Sequence, residues 1–285
     1  MTALRVGVCL PQFTADGDAL LRAAAEIEQL GYDAASVFDH LSPLGGPPTR
    51  PILESFTTLT AVAARTSRLT VLPLVARAGL RPPATLAHMV RTIDLLAPGR
   101  FVLGLGAGDD ANAGEDAAIG LPVLDTAGRH DQVRAAVAAV RESTPAVPIW
   151  LGGTGPQLRR MAGEIADGWN VWGLPAAEVA RRARTAQDAA GAAGRPALHV
   201  SWGGPVLVAP TAGEAQERAA SWQAKGTERA STQLVRGDPA GLAAGLHELA
   251  TAGVSTVLLS FVGDGAAEQR RLFAREVLPL VRAAA

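Results

Sequence analysis

The chain of 285 residues is 48% hydrophobic and 19% charged, rich in Ala, Gly and Val, with a net charge of -1. Such a composition excludes a disordered or fibrous chain, and near-neutrality without a block of Lys or Arg supplies no field for a nucleic-acid backbone or an anionic membrane. The single cysteine, Cys9, excludes an internal disulfide framework and a Cys-rich metal site.

Residues 1–285 read as one large domain, since single αβ barrels of this size are common. The first apolar run, Leu4–Leu10, carries Arg5 near its start and is broken by Pro11, which fits an opening strand and lacks the apolar region and cleavage site of a signal peptide. No later run approaches the ~18 apolar residues of a membrane span, so a cytoplasmic protein without a membrane partner is expected. Further strands are expected at Ala34–Phe38, Leu69–Leu74, Phe101–Leu105, Ile149–Leu151, Gly168–Val171, His199–Val208 and Val254–Leu259. Helical stretches fall between them near 18–30, 54–65, 83–96, 128–141, 156–165, 176–191, 212–224 and 239–252, with a last one near 266–283. Gly31 and Gly253 stand where helix C-caps belong, and Asp238-Pro239 is an N-cap followed by Pro at the first helical position. Eight strands, each followed by a helix, predict a (β/α)8 TIM barrel rather than an open doubly wound sheet. Two long loops, roughly 106–127 and 225–238, interrupt the pattern.

Chemistry in a parallel αβ fold gathers at the C-terminal ends of strands. The second strand ends on Asp39-His40. A carboxylate there can also cap the next segment and a histidine can be a satisfied rim group, so the neighbouring motifs decide. The fourth strand runs into Gly104-Leu105-Gly106-Ala107-Gly108-Asp109-Asp110-Ala111-Asn112, where glycines let a flat or phosphorylated ligand approach the backbone. The formal dinucleotide fingerprint in this segment lacks its context, because polar loop sequence continues through Pro122 instead of opening into a helix. The fifth strand leads through Gly152-Gly153-Thr154-Gly155 into a helix at Pro156, an arrangement of free N–H groups suited to a phosphate. Trp169, Trp172 and Trp202 are candidates to wall a ring-shaped ligand. His88, His130, His199 and His247 lack metal-ligand spacing, and no metal site is expected.

These motifs, with Glu54, Arg81-Pro82-Pro83-Ala84-Thr85-Leu86-Ala87, Thr92–Arg100 and Ala166-Asp167-Gly168-Trp169-Asn170, resemble in order the bacterial luciferase-like flavin and deazaflavin oxidoreductase family. The resemblance covers residues from about 4 to 262. It implies a homodimeric (β/α)8 barrel that binds coenzyme F420 at its C-terminal rim, with FMN as the alternative, and acts on a small organic molecule. Asp39 and His40 match the pair beside the cofactor ring, with His40 as proton donor or acceptor. Asn112 matches a ring contact, Gly106 the backbone approach, and Gly152, Gly153, Thr154 and Gly155 the phosphate-binding turn. Leu74-Val75 matches a bulge with a cis peptide behind the ring. Asp109 stands where some deazaflavin-dependent sugar-phosphate dehydrogenases carry Glu, which suggests a second acid. Leu44 replaces a Trp of those enzymes and leaves the substrate open. An FMN-dependent monooxygenase and a non-catalytic flavin-binding barrel are the alternatives.

Overall fold

The computed structural model describes residues 3–42, 50–225 and 233–283. Strands β1 (Arg5–Cys9), β2 (Ala34–Val37) and β3 (Thr70–Pro73) pair in parallel, as do β4 (Ala76–Arg77), β5 (Leu103–Gly106), β6 (Ile149–Gly152), β7 (Gly168–Trp172) and β8 (His199–Val208). Short β9 (Val235–Gly237) adds to the far end of β8, and β10 (Thr256–Phe261) joins β8 to β1. A parallel bridge between Val71 and Phe101 closes the remaining seam, with Val71 N donating to Arg100 O at 2.8 Å and Val102 N to Val71 O at 3.2 Å. Since β3 and β4 are halves of one interrupted strand, the result is the expected eight-stranded parallel barrel.

Helices α1 (Gly17–Gln29), α2 (Ser55–Arg65), α3 (Pro83–Leu96), α5 (Thr126–Ser143), α6 (Pro156–Ile165), α7 (Ala176–Ala192), α8 (Ala212–Ala224) and α9 (Pro239–Thr251) surround the barrel, and a short α4 (Ala113–Ala118) lies in the β5 loop. The C-terminal run is α10 (Ala266–Leu272), a π turn at Phe273–Val277, and α11 (Leu278–Ala283). Local chemistry sets the starts: Asp16, Asp125 and Asp238 each accept an N–H of the first turn, and Pro occupies the first turn of α3, α6 and α9. Gly31 and Gly253 take φ of 88° and 94°, the left-handed geometry expected of a helix-ending glycine.

The main core lies between the barrel and its helices. A second cluster of Ala34, Leu72, Leu74, Val102, Trp150 and Leu258 fills the barrel interior, with Cys9, Phe38, Val75 and Trp172 packed on it. At the lower end of β8, His199 stacks on Trp150 at 4.4 Å and shares a 2.9 Å hydrogen bond with Thr256. Burial lowers the His199 pKa to about 4, aided by nearby Arg5, and it serves the packed floor as a neutral ring.

The interruption of the third strand was expected only from the resemblance. The Leu74–Val75 peptide is cis, as that resemblance implied, and Val75 projects inward across β5 and β6. A Cβ on Gly106 or Gly152 would each come within 2.7 Å of a Val75 methyl, and one on Gly104 within 2.2 Å of the Pro73 carbonyl. These glycines are the space the bulge occupies. The two long loops hold α4 and β9. Trp169 and Trp202 depart from the ligand-wall expectation: both are fully buried against the helices, donating to Gly153 O at 2.8 Å and to Leu174 O at 2.9 Å. Only Trp172 remains at the mouth.

Gly104→Ala is expected to lower unfolding free energy by about 1–3 kcal/mol in denaturant titration, because the rigid Pro73 carbonyl cannot move aside. Gly191→Ala, with nothing within 4 Å, changes stability by at most about 1 kcal/mol, toward greater stability.

Candidate active site

The C-terminal mouth of the barrel is organised around Asp39, which is buried at the end of β2. Its Oδ1 accepts from the Ser55 hydroxyl at 2.5 Å and Arg81 Nη2 at 2.9 Å. Its Oδ2 accepts from Arg77 N at 2.9 Å and Arg81 Nη1 at 2.8 Å. A carboxylate offers about four acceptor sites, and all are taken. Asp39 therefore acts by holding the frame. Arg81 continues to Glu54 at 2.6 Å and lies over the Phe56 ring at 4.6 Å. Desolvation lowers the Arg81 pKa, but its bonds to Asp39 and Glu54 outweigh that and raise it. Glu54 in turn is the N-cap of α2, accepting from Phe56 N and Thr57 N.

With Asp39 fixed, His40 is fixed beside it. Its Nδ1 lies 3.2 Å from Glu115 Oε2 on α4, a partner from the β5 loop. Glu115 Oε1 accepts the backbone amides of Leu41 and Ser42, the latter at 2.8 Å. Arg77, whose side chain is 8% exposed, approaches Glu115 Oε2 to 2.9 Å through Nη2, a charge contact outside hydrogen-bond alignment, while Nη1 donates to Asp116 at 2.6 Å. Burial pushes the Glu115 carboxyl up, but His40, the two amides and Arg77 together bring it down to about 2.

Asp109 and Asn112 form a reciprocal cap at the turn before α4. Asp109 Oδ1 accepts from Ala111 N at 3.0 Å, and Asn112 Oδ1 accepts from Asp109 N at 2.9 Å. Asn112 is buried by this arrangement. Phe38 stacks on Phe13 at 6.1 Å and meets Trp172 edge-on at 5.4 Å, giving the mouth an aromatic side. Below it, Cys9 is half-buried, receiving the Ser36 hydroxyl at 3.3 Å, and Asn170 donates to Ser201 at 2.9 Å.

The glycine turn after β6 has the geometry of an anion site. Gly153 takes φ of 151°, and a Cβ there would lie 2.4 Å from Leu158. The turn is fastened by Gly153 N to Asn170 O and by the Trp169 indole. α6 is preceded by Gly155 at the N-cap with no side-chain cap, and Thr154 and Gly155 are exposed. Arg159 and Arg182 both reach the Thr154 carbonyl at 3.2 Å, and Arg159 Nε is buried without a partner. Desolvation lowers the Arg159 pKa first, and repulsion from Arg182 and Arg181 adds to it, so a bound anion would relieve charge already crowded there.

His40, Asp109 and Asn112 thus gather at one loop cluster, while Gly152, Gly153, Thr154 and Gly155 lie at the adjoining strand end and Gly106, Leu74 and Val75 beneath. Leu44 lies outside the described residues. Glu115 and Arg77 escape sequence reasoning. The available signals were a glutamate three residues beyond Asn112 and a lone arginine in an apolar run. Among the described residues no cluster of His, Cys, Asp and Glu could hold a metal ion.

Replacing Arg81 with Met is expected to cost about 3–5 kcal/mol in denaturant unfolding, since Asp39 is left charged and buried without its ion partner. A second expectation follows from Glu115, whose pKa is depressed from 4.5 to about 2 on folding. Its contribution is complete above pH 4.5 and lost as pH falls through about 2, so the stability difference between wild type and Glu115→Gln should shrink across that window. A difference independent of pH would contradict it.

A family model described as luciferase-like monooxygenase matches residues 4–121 and 116–272. The F420-dependent glucose-6-phosphate dehydrogenase of Beutenbergia cavernae is 32% identical over 181 residues, covering 53% of this chain and 51% of that protein. The enzyme of the same name from Nakamurella multipartita is 30% identical over 176 residues, covering 51% and 49%. The chain spans about half the length of the curated relatives it matches. An F420-dependent secondary alcohol dehydrogenase, solved with an F420-acetone adduct, superposes with a TM-score of 0.86 at 17% identity, covering 99% of this chain and 100% of that one. A type II Baeyer-Villiger monooxygenase from Pseudomonas putida, in complex with FMN, gives 0.76 at 17% identity, covering 97% and 98%. At such identities the shared property is the fold. With the family model spanning nearly all of the barrel, the chain belongs to the luciferase-like monooxygenase family.

Proposed function

We propose that the protein exchanges a hydride between coenzyme F420 and a small organic substrate. The observation that carries this reading is the 32% identity over 181 residues with a protein named as an F420-dependent dehydrogenase. The fold alone does not choose, since an FMN-bound monooxygenase shares it.

The residues present fit the cofactor. The uncapped start of α6, with Gly152, Gly153, Thr154 and Gly155 and the crowded Arg159, suits its phosphate. Gly106 and the Leu74-Val75 bulge supply a close-packed floor for a flat ring. Two-electron hydride exchange is the chemistry the deazaflavin supplies when bound; the protein supplies orientation and protons. His40 donates or accepts the substrate proton at Nε2, the ring nitrogen with no hydrogen-bond partner among the described residues. Asp39 keeps His40 in place, Asn112 offers its amide to the ring, and Asp109 is a second acid at the same loop. A homodimer working in the cytoplasm belongs to this proposal. Leu95 and Leu96, 70% and 60% exposed at the end of α3, are apolar surface that a second copy would cover, which light scattering tests.

Calorimetric titration tests the assignment. F420 should bind more tightly than FMN; micromolar FMN affinity with no F420 binding overturns it in favour of an FMN-dependent monooxygenase. His40→Ala should slow turnover by about 10²–10⁴ with cofactor affinity nearly unchanged. Lost affinity with turnover retained would make His40 a binding contact.

A further inference from the structure

Glu115 stands between the loops that follow β2 and β5, and its side chain is only 7% exposed. Its two oxygens have different duties. Oε1 accepts the amides of Leu41 and Ser42, while Oε2 faces His40 Nδ1 at 3.2 Å with Arg77 Nη2 at 2.9 Å. Although burial opposes ionisation, the surrounding donors hold the carboxyl at about 2, so it is charged at neutral pH. An ionised carboxylate accepts hydrogen bonds and donates none. The ring nitrogen facing it must carry the proton.

We infer that Glu115 is a positioning residue that fixes neutral His40 as the Nδ1–H tautomer, leaving the Nε2 lone pair as the atom that exchanges the substrate proton. The inference rests on the role proposed for His40 and deepens it. A histidine's second nitrogen is set by the bond its first nitrogen makes. The partner here comes from a different loop, 75 residues away, so the proton-transfer geometry exists only while α4 is docked on the β2 loop. Arg77 keeps it docked: its backbone amide is held by Asp39 and its guanidinium by Asp116.

A role in loop tethering alone gives a different outcome in Glu115→Gln. In that variant the amide oxygen is needed by Leu41 and Ser42, which turns the NH2 group toward His40 Nδ1. A donor there demands an acceptor, so the ring must adopt the opposite tautomer, with Nε2 protonated.

The test uses the full chain without cofactor, labelled with 15N-histidine, and long-range 1H–15N spectra at a pH where the rings are neutral. His40→Gln identifies the signal. Wild type should show the Nδ1–H pattern, and an Nε2–H pattern overturns the inference whether or not any variant folds. Glu115→Gln should show the inverted pattern, with turnover reduced by about 10²–10⁴ and the dissociation constant for F420 nearly unchanged. An unchanged tautomer with unchanged turnover would reduce Glu115 to a tether. Failure to bind F420 would defeat the proposed function and leave the tautomer result standing.

Discussion

The mouth of this barrel depends on one buried carboxylate. Taking Asp39 out of water costs several kcal/mol unless every lone pair is answered. Here the answers come from four donors on three residues: the Ser55 hydroxyl at the start of α2, the backbone of Arg77 in β4, and both ends of the Arg81 fork just before α3. Two βα connections, β2 to α2 and β4 to α3, are thereby drawn to one point. His40 follows Asp39 directly, and the Arg77 side chain leaves the backbone whose amide Asp39 holds. His40 and the cation behind its carboxylate partner are thus set by the same contact.

A second constraint works from below. The third strand breaks between Pro73 and Ala76, and Val75 turns into the barrel, where Gly104, Gly106 and Gly152 leave the room it needs. Close packing makes that floor stiff, because none of these positions accepts a Cβ without displacing backbone or a branched side chain. Above it, Phe13, Phe38 and Trp172 make an aromatic edge, and His40, Glu115 and Arg77 make a polar cluster. The glycine turn at α6 lies one strand along.

Much of the fold is legible in the chain because its punctuation is local. Glycines end α1 and α9, aspartates cap α5 and α9, and prolines open α3, α6 and α9, so the eight strands stand between well-marked helices. The break in the third strand has no such mark; Leu69–Leu74 reads as one apolar run, and only the family resemblance placed the bulge at Leu74-Val75. Asp39 and His40 are legible as a pair at a strand end. Their division of labour is not, since it depends on Arg81 and Glu115, 42 and 75 residues away. Trp169 and Trp202 misled for a related reason: along a strand the side chains alternate in facing, and both indoles turn outward to backbone carbonyls of loops rather than inward.

A crystal structure of the complex with coenzyme F420 tests the central claim most directly. The account predicts phosphate oxygens on the backbone amides at the start of α6, the ring lying over Val75, and His40 Nε2 directed at the reacting face with Glu115 still on Nδ1. A cofactor bound with its ring away from His40, or its phosphate away from the Gly152–Gly155 turn, would contradict it.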